Sequence, residues 1–304
     1  NLVASSVMFL SLLPAILGEL RFRFSFTEYR KILVFGLPLI ASGLASMIME
    51  LINRPILQWL TDLETVGLYN AGAKLGIFMM LVTTAFNFAW QPFFMKAGQT
   101  DSGPKIFSRV FTYFVFVLSG VFIVLTLFIE QIATMPIPFT NILLLGSDYH
   151  AAIPMIPIIF AGYIFYGMYL NFLPGVYLKN QSGKLAKFTI TGALVNIAGN
   201  FIFIPIIGFY GAALATLVAY LTMAILLYFT QMKLYPTPYQ WRKVFTTITI
   251  TGFLTACFYW LDPGLIGKLI IIILFLLLHF AFGFLQFDEF KQIIRSVIKR
   301  KQSE

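Results

Sequence analysis

Residues 33–95 read LVFGLPLIASGLASMIMELINRPILQWLTDLETVGLYNAGAKLGIFMMLVTTAFNFAWQPFFM. The stretch divides into two long apolar helices joined by a short acidic turn. The first is expected over about Leu33–Trp59, the turn over Leu60–Gly67 and the second over about Leu68–Met95. Arg54 stands ten residues before Glu64, and Lys74 ten residues after it. In an antiparallel pair of helices rising about 1.5 Å per residue, that spacing puts both cations at similar depth. Glu50 lies one turn before Arg54, at i and i+4, on the same helix face. A cation in a bilayer core costs about 2.5–3.5 kcal/mol. Two at one level point to a water-filled cavity that receives an anion. The competing reading is that both cations, a turn or two from their helix ends, snorkel to the outer headgroups. Glu50 in its simplest role neutralises Arg54 as a structural pair.

Working outward, the composition assigns the class. The 304 residues are 59% hydrophobic and only 11% charged, with a mean hydropathy of +0.87. Soluble domains run at about 45–50% apolar and about 25% charged, so the chain is expected to be a polytopic, all-α membrane bundle. A single cysteine, Cys257, excludes an internal disulfide and a thiolate metal cluster. The chain opens Asn1-Leu2-Val3 in an apolar run without Met or a basic flank. That reads as a fragment starting inside a helix, not as a signal peptide.

Further spans are expected over about 1–18, 110–129, 151–178, 188–207, 210–232, 244–261 and 265–286. Each approaches the roughly 20 residues that cross a bilayer, which makes about nine crossings with the central hairpin. Pro154, Pro157 and the pair Pro174-Gly175 are expected to kink the 151–178 span. Phe139–Leu145 reads as a short interfacial helix. Assigning loops alternately to two sides segregates the cations. Loops 19–32, 96–109, 179–187 and 233–243, with the tail 287–304, hold 18 of the 21 Lys and Arg. The other side holds Lys268 beside Asp62, Glu64, Glu130, Asp148 and Asp262, and Arg54 and Lys74 are the two left over. The positive-inside rule makes the basic side cytoplasmic. The net charge of +9 is therefore topology, and with the basic residues scattered over loops no nucleic-acid partner is expected.

Two groups of residues carry a family resemblance. The first is Phe35-Gly36-Leu37-Pro38 opening a helix, Asn53-Arg54 near its outer end, and Val66-Gly67-Leu68-Tyr69 before Lys74. The second is Asn196, Asn200, Pro205, Gly208 and Gly211-Ala212-Ala213. Together, over roughly residues 19–232, they resemble the C-terminal half of a polysaccharide (O-antigen type) flippase of the multidrug/oligosaccharidyl-lipid/polysaccharide exporter superfamily. In that family an Asp often precedes the Arg; here the residue is Asn53, and the nearest acid is Glu50. The resemblance implies a two-lobed transporter enclosing a central cavity. Residues 1–18 would be the last helix of the N-terminal lobe and 19–32 a cytoplasmic inter-lobe linker. Residues 33–232 would form the six-helix C-terminal lobe, 233–286 two additional transmembrane helices, and 287–304 a basic cytoplasmic tail. The protein would lie in the inner (plasma) membrane.

The implied function is flipping of a polyprenyl-diphosphate-linked oligosaccharide for surface polysaccharide, O-antigen and lipopolysaccharide biosynthesis. A polysaccharide polymerase is an implied partner, and no coupling ion is assigned. Arg54, Lys74, Glu50 and Asn53 are the candidate substrate-binding residues, with Asn87, Gln91, Asn196 and Asn200 as candidate cavity lining. Asn196 and Asn200, at i and i+4, also read as interhelical hydrogen-bond glue, and the small residues around Gly192, Gly199 and Gly211 as close-packing positions. The basic tail reads either as a surface that lies on anionic membrane lipid or as a simple cytoplasmic stop. His150 and His279 are isolated and lack metal-ligand spacing, so neither a metal nor a cofactor is expected. Two other classes compete. A drug or cation antiporter of the same superfamily needs acids facing the cavity, and only Glu50 is available. A membrane-embedded transferase needs a His or carboxylate cluster beside a nucleophile, and no such cluster is visible.

Overall fold

A computed structural model describes residues 2–19, 24–136 and 143–282. The chain folds as α1 (Leu2–Glu19), α2 (Phe26–Leu51), α3 (Asn53–Leu60), α4 (Leu63–Leu75), α5 (Ile77–Ala97) and α6 (Gly103–Ala133). A 3-10 segment (Ser147–Met155) precedes α7 (Ile156–Asn171), α8 (Pro174–Leu178), α9 (Gly183–Ile207), α10 (Phe209–Leu234), α11 (Trp241–Leu261) and α12 (Leu265–Ala281). Seven helices or helix runs are long and apolar enough to span a membrane, and the shorter apolar helices Val3–Gly18 and Leu265–Ala281 bring the described total to the expected nine. The chain is an all-α, multi-pass membrane protein.

The central hairpin departs from two continuous rods. Its first helix begins at Phe26 and not near Leu33. The Ser25 side chain accepts the Glu28 N–H at 3.4 Å, and Lys31 pairs with Glu28 at 2.7 Å, which extends the helix into the basic linker. Phe35–Pro38 therefore lies inside α2 and does not open it. The same helix loosens at Ile52 without leaving helical angles (φ −67°, ψ −26°), and α3 continues from it. Pro55 has no N–H to give Leu51, and its ring crowds that carbonyl; the next bond, Ile56 N–H to Ile52 O, stretches to 3.3 Å. The expected turn shrinks to Thr61–Asp62, because the Asp62 carboxylate caps α4 by accepting the Thr65 N–H at 2.7 Å. Hydrogen bonding of the ionised carboxylate to Thr65 pulls its pKa below the ordinary range. Gly76 then interrupts α4 from α5.

The prolines of the 151–178 span start elements more than they kink one. Pro154 lies in the 3-10 segment, Pro157 in the first turn of α7, and Pro174 opens α8. The piece expected as an interfacial helix falls largely outside the described residues. Its described end, Leu143–Leu145, folds back on α6 instead, with Leu144 N–H on Met135 O at 2.9 Å and Leu145 N–H on Ala133 O at 2.8 Å. The tail 287–304 also lies outside the described residues.

A layer of α9 and α10 holds the bundle together. Gly208, at φ 58° and ψ −136°, makes the turn between them in a region that a Cβ forbids. A Cβ at Gly211 would stand 2.5 Å from the Phe203 carbonyl carbon and 2.6 Å from the Ile204 nitrogen, so the two backbones touch there. Ser42 and Thr189 share a hydrogen bond of 3.1 Å between α2 and α9. At the other end α6, α11 and α12 pack through Phe116, Phe275 and the buried His279, whose ring meets the Thr247 hydroxyl at 3.1 Å.

Candidate functional site

The residues on either side of Ile52 and of Gly76 border one cavity. It measures about 270 Å³ and is lined by Glu50, Asn53, Arg54, Tyr69, Lys74, Tyr163, Thr216 and Tyr220, with apolar residues between them. The two cations thus share a wall, as the spacing about Glu64 implied. Arg54 stands in the first turn of α3, half-buried at the cavity edge. Lys74 stands in the last turn of α4, where the partial negative charge of the carbonyl end favours it.

The expected Glu50–Arg54 pair is absent. Among the described residues no carboxylate lies within 4.0 Å of either cation. Ile52 between them keeps helical angles (φ −67°, ψ −26°), so Glu50 and Arg54 stay one turn apart and the pair is missing through side-chain placement alone. Arg54 Nε instead donates to Asn70 Oδ1 across the short hairpin at 2.6 Å. That bond leaves the remaining guanidinium donors free to turn toward the cavity.

Asn53 borders the cavity but is only 1% exposed, and its amide is fully engaged. Its Nδ2 donates to the Tyr69 hydroxyl at 2.6 Å and the Thr216 hydroxyl at 2.9 Å, while its Oδ1 accepts Asn200 Nδ2 at 2.8 Å. Asn196 Nδ2 adds a bond of 3.2 Å to Thr216. Asn53 therefore ties α3 to α4, α9 and α10 and is not a ligand-reaching side chain. Asn196 and Asn200 are completely buried behind the wall and do not line the cavity. Asn87 and Gln91 do not line it either. Only the first turns of α5, at Ile77 and Met80, reach the cavity, and both residues lie farther along that helix. Asn87 Oδ1 is buried without a partner among the described residues, and Gln91 is exposed.

A wall of tyrosines went unread in the sequence. Tyr163 of α7 and Tyr220 of α10 line the cavity with ring centroids 6.2 Å apart, and Tyr166 backs Tyr220 at 5.0 Å. Tyr163, Tyr166 and Tyr169 recur at every third position, the one sequence signal that announced it. The cavity thus sets two cations and an acid opposite flat rings with hydroxyl edges, a surface suited to an anionic group joined to a polar ring.

A family model described as polysaccharide biosynthesis protein matches residues 1–98, the part of the chain that holds Glu50, Asn53, Arg54 and Lys74. No curated protein matches the chain. Among solved structures, a lipid II flippase, MurJ, in an inward closed conformation aligns with a TM-score of 0.61 at 16% identity. That alignment covers 98% of this chain and 61% of the flippase chain, so the chain spans less than two thirds of that protein. At this identity the likeness is one of fold. Both findings agree with the exporter resemblance drawn from the sequence.

Proposed function

We propose that the chain is the C-terminal part of an exporter that flips a polyprenyl-diphosphate-linked oligosaccharide from the cytoplasmic to the outer leaflet of the inner membrane, by alternating access, for surface polysaccharide biosynthesis. The observation that carries the reading is the meeting of Arg54 and Lys74 at one cavity without a carboxylate partner. Two cations facing one acid, Glu50, leave the cavity net positive, which is costly in a membrane segment unless an anion visits it. The diphosphate fits that demand, and the tyrosine wall suits the first sugar. The family model over residues 1–98 and the flippase fold support the same class. An antiporter of drugs or cations is the weaker reading, because Glu50 is the one acid at the cavity.

The test is surface polymer measured in cells that carry variants in place of the wild-type protein. A charge-assisted hydrogen bond to phosphate is worth about 1.5–3 kcal/mol, so Arg54→Ala slows export by roughly one to two decades. Arg54→Lys keeps the charge without the planar fork and falls between. Glu50→Gln leaves export intact or modestly changed if Glu50 only tunes the cations; collapse of export favours the antiporter-like reading. Full export by Arg54→Ala, Lys74→Ala at normal membrane level sinks the diphosphate site.

A further inference from the structure

At the opposite end of α2 lies a second, larger concavity that the transport reading does not use. It measures about 860 Å³ and opens between the first turns of α2 and α9. Arg30 and Lys31 enter it from α2, Lys184 and Lys187 from α9. Lys31 is neutralised by Glu28 at 2.7 Å, and among the described residues the other three have no carboxylate within 4.0 Å. Along the helix axis, Lys31 and Arg54 are separated by about 34 Å, at 1.5 Å per residue, so this cleft and the cavity are separate places.

We propose that this cleft binds the phosphate of an anionic membrane lipid, an inference independent of what the cavity carries. Arg30, Lys184 and Lys187, three like charges without a carboxylate partner in one concavity, repel one another, and an anion relieves them. A second, unrelated observation is Ser182, the N-cap residue of the 25-residue helix α9. Cap serines ordinarily turn their hydroxyl onto the helix's own N–H groups, which requires an extended backbone. Ser182 has φ −53° and ψ −28°, a helical geometry, and makes no side-chain cap bond. It lines the cleft, is only 4% exposed, and its hydroxyl has no hydrogen bond among the described residues. The hydroxyl is open to the cleft, and a phosphate oxygen placed there would accept from it, at a helix start that already favours negative charge.

The rim decides for a lipid over a soluble phosphate. Phe26 and Val34 border the same cleft at 69% and 70% exposure. Apolar side chains on either side of a cationic floor gain from an acyl chain and gain nothing from a free ion. The cleft also lies on the side that the loop cations assign to the cytoplasmic leaflet, where anionic lipids supply the negative surface.

The experiment titrates the purified full chain, in neutral detergent micelles, with fluorescent phosphatidylglycerol, phosphatidylcholine of the same chains, and inorganic phosphate as competitor. Wild type should prefer phosphatidylglycerol by at least about tenfold, with inorganic phosphate a poor competitor. Lys184→Gln with Lys187→Gln should abolish the preference, whereas Lys96→Gln with Lys233→Gln, which removes equal charge from exposed positions elsewhere, should keep it. Ser182→Ala should weaken phosphatidylglycerol severalfold without moving the unfolding midpoint of the lipid-free protein, because the hydroxyl caps nothing. Equal loss in both lysine pairs would reduce the effect to general surface charge and overturn the proposal. So would unchanged binding in the Lys184/Lys187 variant, or full displacement by inorganic phosphate.

Discussion

Replacing Asn53 by Ala isolates what the buried network contributes. The substitution removes three interhelical hydrogen bonds: to Tyr69 at 2.6 Å, to Thr216 at 2.9 Å and from Asn200 at 2.8 Å. Side-chain hydrogen bonds between membrane helices average about 0.6 kcal/mol and reach about 1.7. Three of them amount to about 2 kcal/mol, with an upper bound near 5 kcal/mol if every one is at the maximum. The lower figure is the better guide, since Asn200 Nδ2 retains the Asn196 carbonyl at 2.9 Å after the loss, and Thr216 retains Asn196 Nδ2 at 3.2 Å. Unfolding in mixed micelles titrated with a denaturing detergent measures the difference. Gln91→Ala, which alters an exposed amide on α5, is the control and should change stability by less than about 0.5 kcal/mol. A double-mutant cycle with Asn200→Ala should return a coupling of about 0.6 kcal/mol for the bond they share. Equal unfolding free energies for Asn53→Ala and Gln91→Ala would refute the network as the element that holds α3.

Other outcomes follow from the same geometry. Gly211→Ala sets a methyl 2.5–2.6 Å from the Phe203–Ile204 backbone and should cost about 1–3 kcal/mol in overpacking, whereas Gly252→Ala, with nothing within 4 Å, should be neutral or stabilising; equal effects would argue against a close α9–α10 crossing. On a Cys257→Ser background, cysteines placed at 101, 183 and 240 should label only from the cytoplasm and one at 63 only from outside, and outside labelling at 183 would break the span assignment after residue 130. The Asp62 carboxyl, whose folded pKa is depressed, contributes to α4 above its ordinary pKa and loses that contribution as pH falls through the folded value. Hydrogen exchange at the Thr65 amide, corrected for intrinsic rate, should therefore accelerate below the ordinary carboxylate range in the wild type. In Asp62→Asn, which caps without titrating, it should stay flat, and parallel profiles would dismiss the cap.

What the sequence made legible is what composition and periodicity control. Apolar run length announces spans, so the number and order of crossings could be read directly. Breaks were harder. Pro55 marked one, but a proline three residues into a new helix looks much like one inside a continuous helix. Gly76 marked the other no more loudly than the many glycines that only pack. The Glu50–Arg54 pair failed for another reason: i, i+4 spacing brings two side chains within reach but does not say which partner each takes, and Arg54 takes Asn70. Asn87 and Gln91 share a helix face that lies farther along α5 than this cavity reaches, and a shared face does not say how far along a helix a cavity extends. The tyrosine wall needed α7 and α10 brought together, which no local pattern encodes.

Asn53 and Arg54 act as one device because they are neighbours. Successive residues on a helix point about 100° apart, so when one side chain is buried the next cannot be buried on the same side. Asn53 is locked among Tyr69, Thr216 and Asn200, and that lock fixes the rotation of the eight-residue α3 about its own axis. With the rotation fixed, Arg54 turns into the cavity, where Asn70 orients its Nε edge. Ile52 stays helical between α2 and α3, so the α2–α9 contact and the amide network set that rotation together, and both must agree for Arg54 to face the cavity.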